Sequence, residues 1–186
     1  MACFNDDMVY NYTHLIRHLQ TTRSMKKSNS KKIYVLTVSK AFSKTHFRSG
    51  QNTNFVYSIQ SLFTLEQKKI HTIRANYELW KKRAKEINEG RAILSIRYWS
   101  DKPYRSKQTE ICRLEKIGVE KLEDQTNFLY ARIGNVITSW GVLAENDGLS
   151  FEDFCEWFKQ HGTKEPMAII HFTNFRYSHS YESLHS

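Results

Sequence analysis

Lys68-Lys69-Ile70-His71-Thr72-Ile73-Arg74 puts two ammonium groups, an imidazole, a hydroxyl and a guanidinium into seven consecutive residues. Its β-branched residues read as a short strand over 70–74, entered from a basic turn. Side chains alternate along a strand, so Thr72 and Arg74 share one face and His71 and Ile73 the other. Ile73 marks the buried side, which makes His71 a core or edge histidine and turns Thr72 and Arg74 toward a candidate cleft. Lys69 points away from Thr72 in a regular strand and meets it only where the turn bends it back.

Upstream, Ile33 to Val38 is an apolar, β-branched first strand. A polar loop from Ser39 to Asn52 holds His46, Arg48 and Gly50. Thr53 then caps a helix whose apolar positions Phe55, Val56, Ile59, Leu62 and Phe63 recur at helical spacing. Residues 1–31 lack any periodicity and read as a flexible extension. Within them Met25 opens a basic start, so the first 24 residues read as an upstream extension of the reading frame.

Downstream, Asn76 caps a helix with Tyr77, Trp80, Ala84 and Ile87 on one face, ended by Gly90. Arg91 to Trp99 and Gln108 to Ile117 are expected as strands joined by a hairpin-like connection, with Tyr104, Arg105 and Lys107 at its tip. Further strands are expected at Phe128 to Ile133 and Val136 to Leu143. Ser150 starts a third helix, with Asp153 as the capping-box acid and Gly162 past its end. Met167 to Phe172 closes the pattern as a buried strand, and residues 178–186 read as a frayed tail. Strands with three helices between them give the expected fold, a small α+β barrel with flanking helices over residues 32–177.

The net charge is +9, and residues 68–121 hold 15 Lys and Arg against seven Asp and Glu, so nearly all the excess lies there. The same segment carries Tyr77, Trp80, Tyr98, Trp99 and Tyr104. Positive charge interleaved with rings is the pattern of a nucleic-acid surface, charge tracking phosphate and rings stacking on bases. No apolar run approaches the ~20 residues of a membrane span. No secretory pattern opens the chain, and its three cysteines lack zinc spacing and read as reduced thiols. A cytoplasmic protein without cofactor, metal or obligate protein partner is the expectation. No paired carboxylates, phosphate-cradling glycine loop or Ser-His-Asp order stands out.

With these elements in order, the chain resembles the ASCH family, a branch of the PUA-like small barrels associated with RNA. The motif is Lys69-x-x-Thr72-Ile73-Arg74 behind a helix, followed by a helix and strands, then the acidic turn Glu145-Asn146-Asp147-Gly148 before a helix and closing strand. His46, Arg48 and Gly50 look like a family loop beside the cleft. The resemblance spans residues 32–177 and implies a cleft binding RNA or a nucleobase-like ligand. Lys68, Arg74, Arg97, Tyr104, Arg105 and Lys107 would hold phosphate or base, with Trp99 as a stacking platform. Some small members remove the acetyl group from 4-acetylcytidine with a Lys, a Thr three residues later and an acid. Carried over, these fall on Lys69, Thr72 and Asp147, with Glu145 as the alternative acid. The family acid is a glutamate, so the match departs there.

Three readings follow. The first is an RNA- or nucleotide-binding protein using a basic cleft around Lys69, Thr72 and Arg74. The second is a metal-independent amidohydrolase, in which a lysine of lowered pKa activates the Thr72 hydroxyl. The third is a small ribonuclease using Lys, Arg and His46 as acid, base and phosphate clamp without a metal.

Overall fold

A computed structural model describes residues 30–63, 69–123, 130–159 and 166–178. From Lys32 onward the chain is one unit. Strand β1 (Lys32–Val38) pairs in parallel with β3 (Ala92–Trp99), which pairs antiparallel with β4 (Gln108–Leu114), making a three-stranded sheet. The second sheet has five strands in the order β2 (His71–Arg74), β8 (Met167–His171), β5 (Gly118–Leu122), β6 (Tyr130–Ile133) and β7 (Val136–Ser139). Among the described residues four α-helices join them: α1 (Phe55–Gln60), which runs on into a 3-10 turn, α2 (Tyr77–Asn88), α3 (Trp140–Asn146) and α4 (Phe151–Phe158).

The expected barrel is corrected by this topology. The described strands form two separate sheets, and no closed barrel is found among them. Strand β4 stops at Leu114, three residues short of the end expected at Ile117, and the chain passes to the second sheet at Gly118. Asn88, at the end of α2, accepts from the Ile117 N–H at 3.0 Å and donates to its carbonyl at 2.9 Å. One side chain thus takes both backbone groups of Ile117 and pins the connection between β4 and β5, and the new strand starts at Gly118.

A second correction falls at residues 136–143, expected as a strand. The strand stops at Ser139, whose hydroxyl accepts from the Val142 N–H at 3.2 Å and caps α3. A short apolar run has no decisive period, and here the cap divides it. At α1 the N-cap is Asn54, in the left-handed region, and the expected cap residue Thr53 instead donates to the Ser39 carbonyl at 2.7 Å. The other caps are as read: Asn76 accepts from Leu79 N–H and Ser150 from Asp153 N–H.

Strand β8 separates two cores. Ala168, Ile170 and Phe172 belong to the core built from β1, β3, α1 and α2, while Met167 and Ile169 belong to the one built from β6, α3 and α4. All five residues of β8 are buried, and β2 lies beside it with Thr72 opposite Ile170 and Ile73 opposite Ile169. Thr72 and Arg74 therefore lie on the first core's side and His71 and Ile73 on the second's. The proposed extension at 1–31, the expected helix end at Gly162 and the tail are outside the described residues or reach beyond them. Among the described residues no helix is long and apolar enough to cross a membrane.

Candidate functional site

The turn before β2 does bend Lys69 back, and it carries the lysine into the interior. Lys69 is 0% exposed. Its ammonium donates to the Asp147 carbonyl at 2.7 Å, lies 3.0 Å from Asp147 Oδ1, and sits 3.8 Å from the ring centroid of Phe55. Asp147 is the C-cap of α3, and the Ile70 N–H donates to the carbonyl of neighbouring Asn146 at 2.9 Å, so backbone pairing fixes the approach. Burial pulls the Lys69 pKa down, against the pull of Asp147. Burial pushes the Asp147 carboxyl up, but Lys69 and His71 outweigh it and hold the group below its ordinary range.

His71 completes this cluster. Asn146 donates to the Tyr177 hydroxyl at 2.8 Å, and that oxygen lies 2.8 Å from His71 Nε2. In the tautomer with its proton on Nδ1, which lies 3.5 Å from Asp147 Oδ1, the ring accepts from that hydroxyl at Nε2. Burial keeps His71 neutral by lowering its pKa. A second buried histidine, His171, lies with its Nε2 2.7 Å from Glu120 Oε2. The Glu120 carboxylate also accepts from the Tyr177 and Ser178 backbone N–H groups at 2.9 Å each. These partners overcome the upward push of burial and hold Glu120 at about 2, while burial lowers His171 to about 4.

Thr72 is 2% exposed and Arg74 directs its guanidinium to two carbonyls, Ile73 at 3.0 Å and Thr37 at 2.8 Å. The structure thus brings Lys69 and Asp147 together under Phe55, while Thr72 lies against the first core. Glu145 is on the exposed side of α3, and Lys68 lies outside the described residues. His46 is buried, receiving the Arg48 N–H at Nδ1 and facing the Asp153 carbonyl with Nε2, both at 3.1 Å. Arg48 pairs with the Asp153 carboxylate at 2.5 Å, so this loop is anchored to the start of α4. Arg97 is held by Ser95 Oγ at 2.8 Å and Glu110 at 3.6 Å.

The open site is next door. A cleft of about 500 Å³ runs between the segment 37–44, the β3–β4 connection and Trp157 of α4. Its walls carry four rings, those of Phe42, Trp99, Tyr104 and Trp157, with Lys40 and Lys44 beside them. Phe42 is fixed by stacking on His46, with centroids 4.3 Å apart, and by an edge contact with Trp157 at 5.7 Å. Its loop is closed by the Phe42 N–H to Gln51 carbonyl bond, returned from Gly50, which has a φ of +78°. On the far wall Trp99 and Tyr104 lie 5.4 Å apart and tilted by 50°.

Tyr104 is 89% exposed and has a φ of +63°, a left-handed backbone that bulky residues rarely adopt. Such strain costs ~1 kcal/mol or more and concentrates at functional positions. Sequence reasoning found Trp99 and Tyr104, and Arg105 and Lys107 are exposed on the same connection. It missed Lys40, Phe42, Lys44 and Trp157. The signal available was the basic, aromatic composition of Lys40-Ala41-Phe42-Ser43-Lys44 directly after a strand. Thr37 lines the cleft and takes the Arg74 hydrogen bond, so the focal strand supports the cleft rim without lining it.

Among the described residues no three His, Cys, Asp or Glu side chains gather as metal ligands would. No family model, no curated protein and no solved structure matches this chain.

Proposed function

We propose that this protein binds single-stranded RNA or a nucleotide, in the cytoplasm, through the cleft between the segment 37–44 and the β3–β4 connection. The observation that carries the reading is the meeting of four rings and two lysines in one open cleft, beneath the strained Tyr104. Rings stack on unpaired bases whatever their sequence, and lysines track the backbone phosphates. The resemblance to ASCH proteins carries the same expectation. The cleft takes over the role first expected of Lys69 and Thr72, which are buried. Titration of a labelled single-stranded oligonucleotide at increasing salt tests it: affinity falls steeply with salt, and Trp99→Ala weakens it. Binding indifferent to salt and to Trp99 overturns the reading.

The amidohydrolase reading has one observation in its favour, the contact between Lys69 and Asp147. Against it, Lys69 is enclosed under Phe55, so substrate would reach it only after α1 moves. Turnover of 4-acetylcytidine that disappears in both Lys69→Ala and Thr72→Ala would establish it. The ribonuclease reading loses its histidine, since both ring nitrogens of His46 are engaged.

A further inference from the structure

We propose that Asp101 reads the base held in this cleft through an exocyclic amino group, so that cytosine, adenine and guanine are taken in preference to uracil; the inference rests on the nucleotide-binding reading above. Asp101 is the one carboxylate among the described residues lining the cleft, where it stands beside Trp99 and Tyr104. Its backbone is pinned, because its N–H donates to Ser106 Oγ at 3.0 Å and that hydroxyl donates to the Lys102 carbonyl at 2.9 Å.

The carboxylate itself is left open. Lys40, on the opposite wall, donates to the Ser100 carbonyl at 3.3 Å and lies 5.4 Å from the Tyr98 ring centroid. Among the described residues Asp101 has no ion pair, and the hydrogen bond it makes uses its backbone N–H.

An ionised carboxylate only accepts hydrogen bonds. Cytosine, adenine and guanine each present an amino group that can donate two, and an acidic side chain accepting from the cytosine amino group is an established recognition pair. Uracil offers N3–H alone, flanked on both sides by carbonyl oxygens, so a carboxylate approaching that edge meets acceptors. The rings supply stacking for any base, and the lysines supply charge for any phosphate. The hydroxyls of Thr37, Ser39 and Ser43 in the lining donate as well as accept, and Asp101 is the side chain there that accepts only and so selects for an amino group.

The test compares short oligocytidylate, oligoadenylate and oligouridylate at one salt concentration, with the full chain, Asp101→Asn and Trp99→Ala. The expected result is that oligouridylate binds roughly 10-fold more weakly than oligocytidylate. Asp101→Asn removes that gap without weakening oligouridylate, since a carboxamide both donates and accepts. If the wild-type protein binds both oligomers equally while Trp99→Ala weakens both, the inference falls and the nucleotide-binding reading stands. If Asp101→Asn discriminates as the wild type does, the inference also falls. If no oligomer binds at low salt, both fall together.

Discussion

The ammonium of Lys69 lies 3.0 Å from Asp147 Oδ1 in the interior of the protein, with the Phe55 ring across its other side. A buried charge pair of this kind is costly to halve and cheap to replace whole. Asp147→Ala leaves an uncompensated cation beside an aromatic ring and is expected to destabilise the fold by ~3–5 kcal/mol. The double variant Lys69→Met with Asp147→Asn carries no charge into the same volume and is expected to recover most of that loss. Urea unfolding of the single and double variants checks it, and a double variant as unstable as Asp147→Ala would show that the pairing is not what matters.

Binding should separate the cleft from the buried cluster. Trp99→Ala is expected to lower affinity for single-stranded RNA by ~1–3 kcal/mol, the worth of one stacked base. Replacing both Lys40 and Lys44 by Ala should flatten the dependence of log affinity on log salt, by about 0.7 for each phosphate contact removed. Fluorescence anisotropy at several salt concentrations gives both quantities. An unchanged slope would mean that the phosphates run elsewhere.

Acid should weaken the fold through its buried histidines. His71 and His171 are neutral inside the protein, with folded pKa values depressed by burial, His171 to about 4 from an ordinary 6.5. Unfolded chains take up these protons first, so the stability is complete above pH 6.5 and is lost as pH falls toward 4. The groups facing these rings are Asp147, Lys69, Glu120, Tyr177 and Arg176. Glu120 adds a separate loss below its ordinary 4.5, continuing toward its folded value of about 2. The His171 contribution alone is on the order of 3 kcal/mol. Denaturation midpoints across this range should fall steadily, and a flat profile from neutral pH down to pH 5 would rule the histidines out.

The space a side chain at Gly118 would need is filled by the Arg176 guanidinium, which donates to the Thr173 carbonyl at 2.8 Å. That guanidinium is the end of a flexible side chain and can swing aside, so Gly118→Ala is expected to cost only ~1 kcal/mol, the worth of the hydrogen bond it breaks. Arg176→Ala in the same chain should remove the clash, making the two changes strongly non-additive in a thermal unfolding cycle. Additive losses would place the strain in the backbone instead.

Local signals were legible wherever one short segment carries its own instruction. The caps at Asn76 and Ser150, the helical stripe Trp80, Ala84 and Ile87, and the hairpin connection all depend on neighbours in sequence. The β5 strand and α3 were not legible. One follows a connection that Asn88 pins at Ile117, 29 residues away, and the other starts where Ser139 caps a helix inside an apolar run. The barrel expectation failed for the same reason, since strand order between sheets is decided by pairing partners that no window of sequence contains.

For the focal stretch, the sequence by itself determined that Thr72 and Arg74 lie on one side of a strand and His71 and Ile73 on the other, because alternation is a property of the extended backbone. That both sides are buried comes from packing, which sets β2 against the fully buried β8. It also decided that the turn carries Lys69 inward to Asp147, 78 residues on, and that the open cleft belongs to Phe42, Trp99, Tyr104 and Trp157. Solvent exposure and charge pairing across such distances are set by how segments pack, and a residue's own neighbours in the chain do not contain that information.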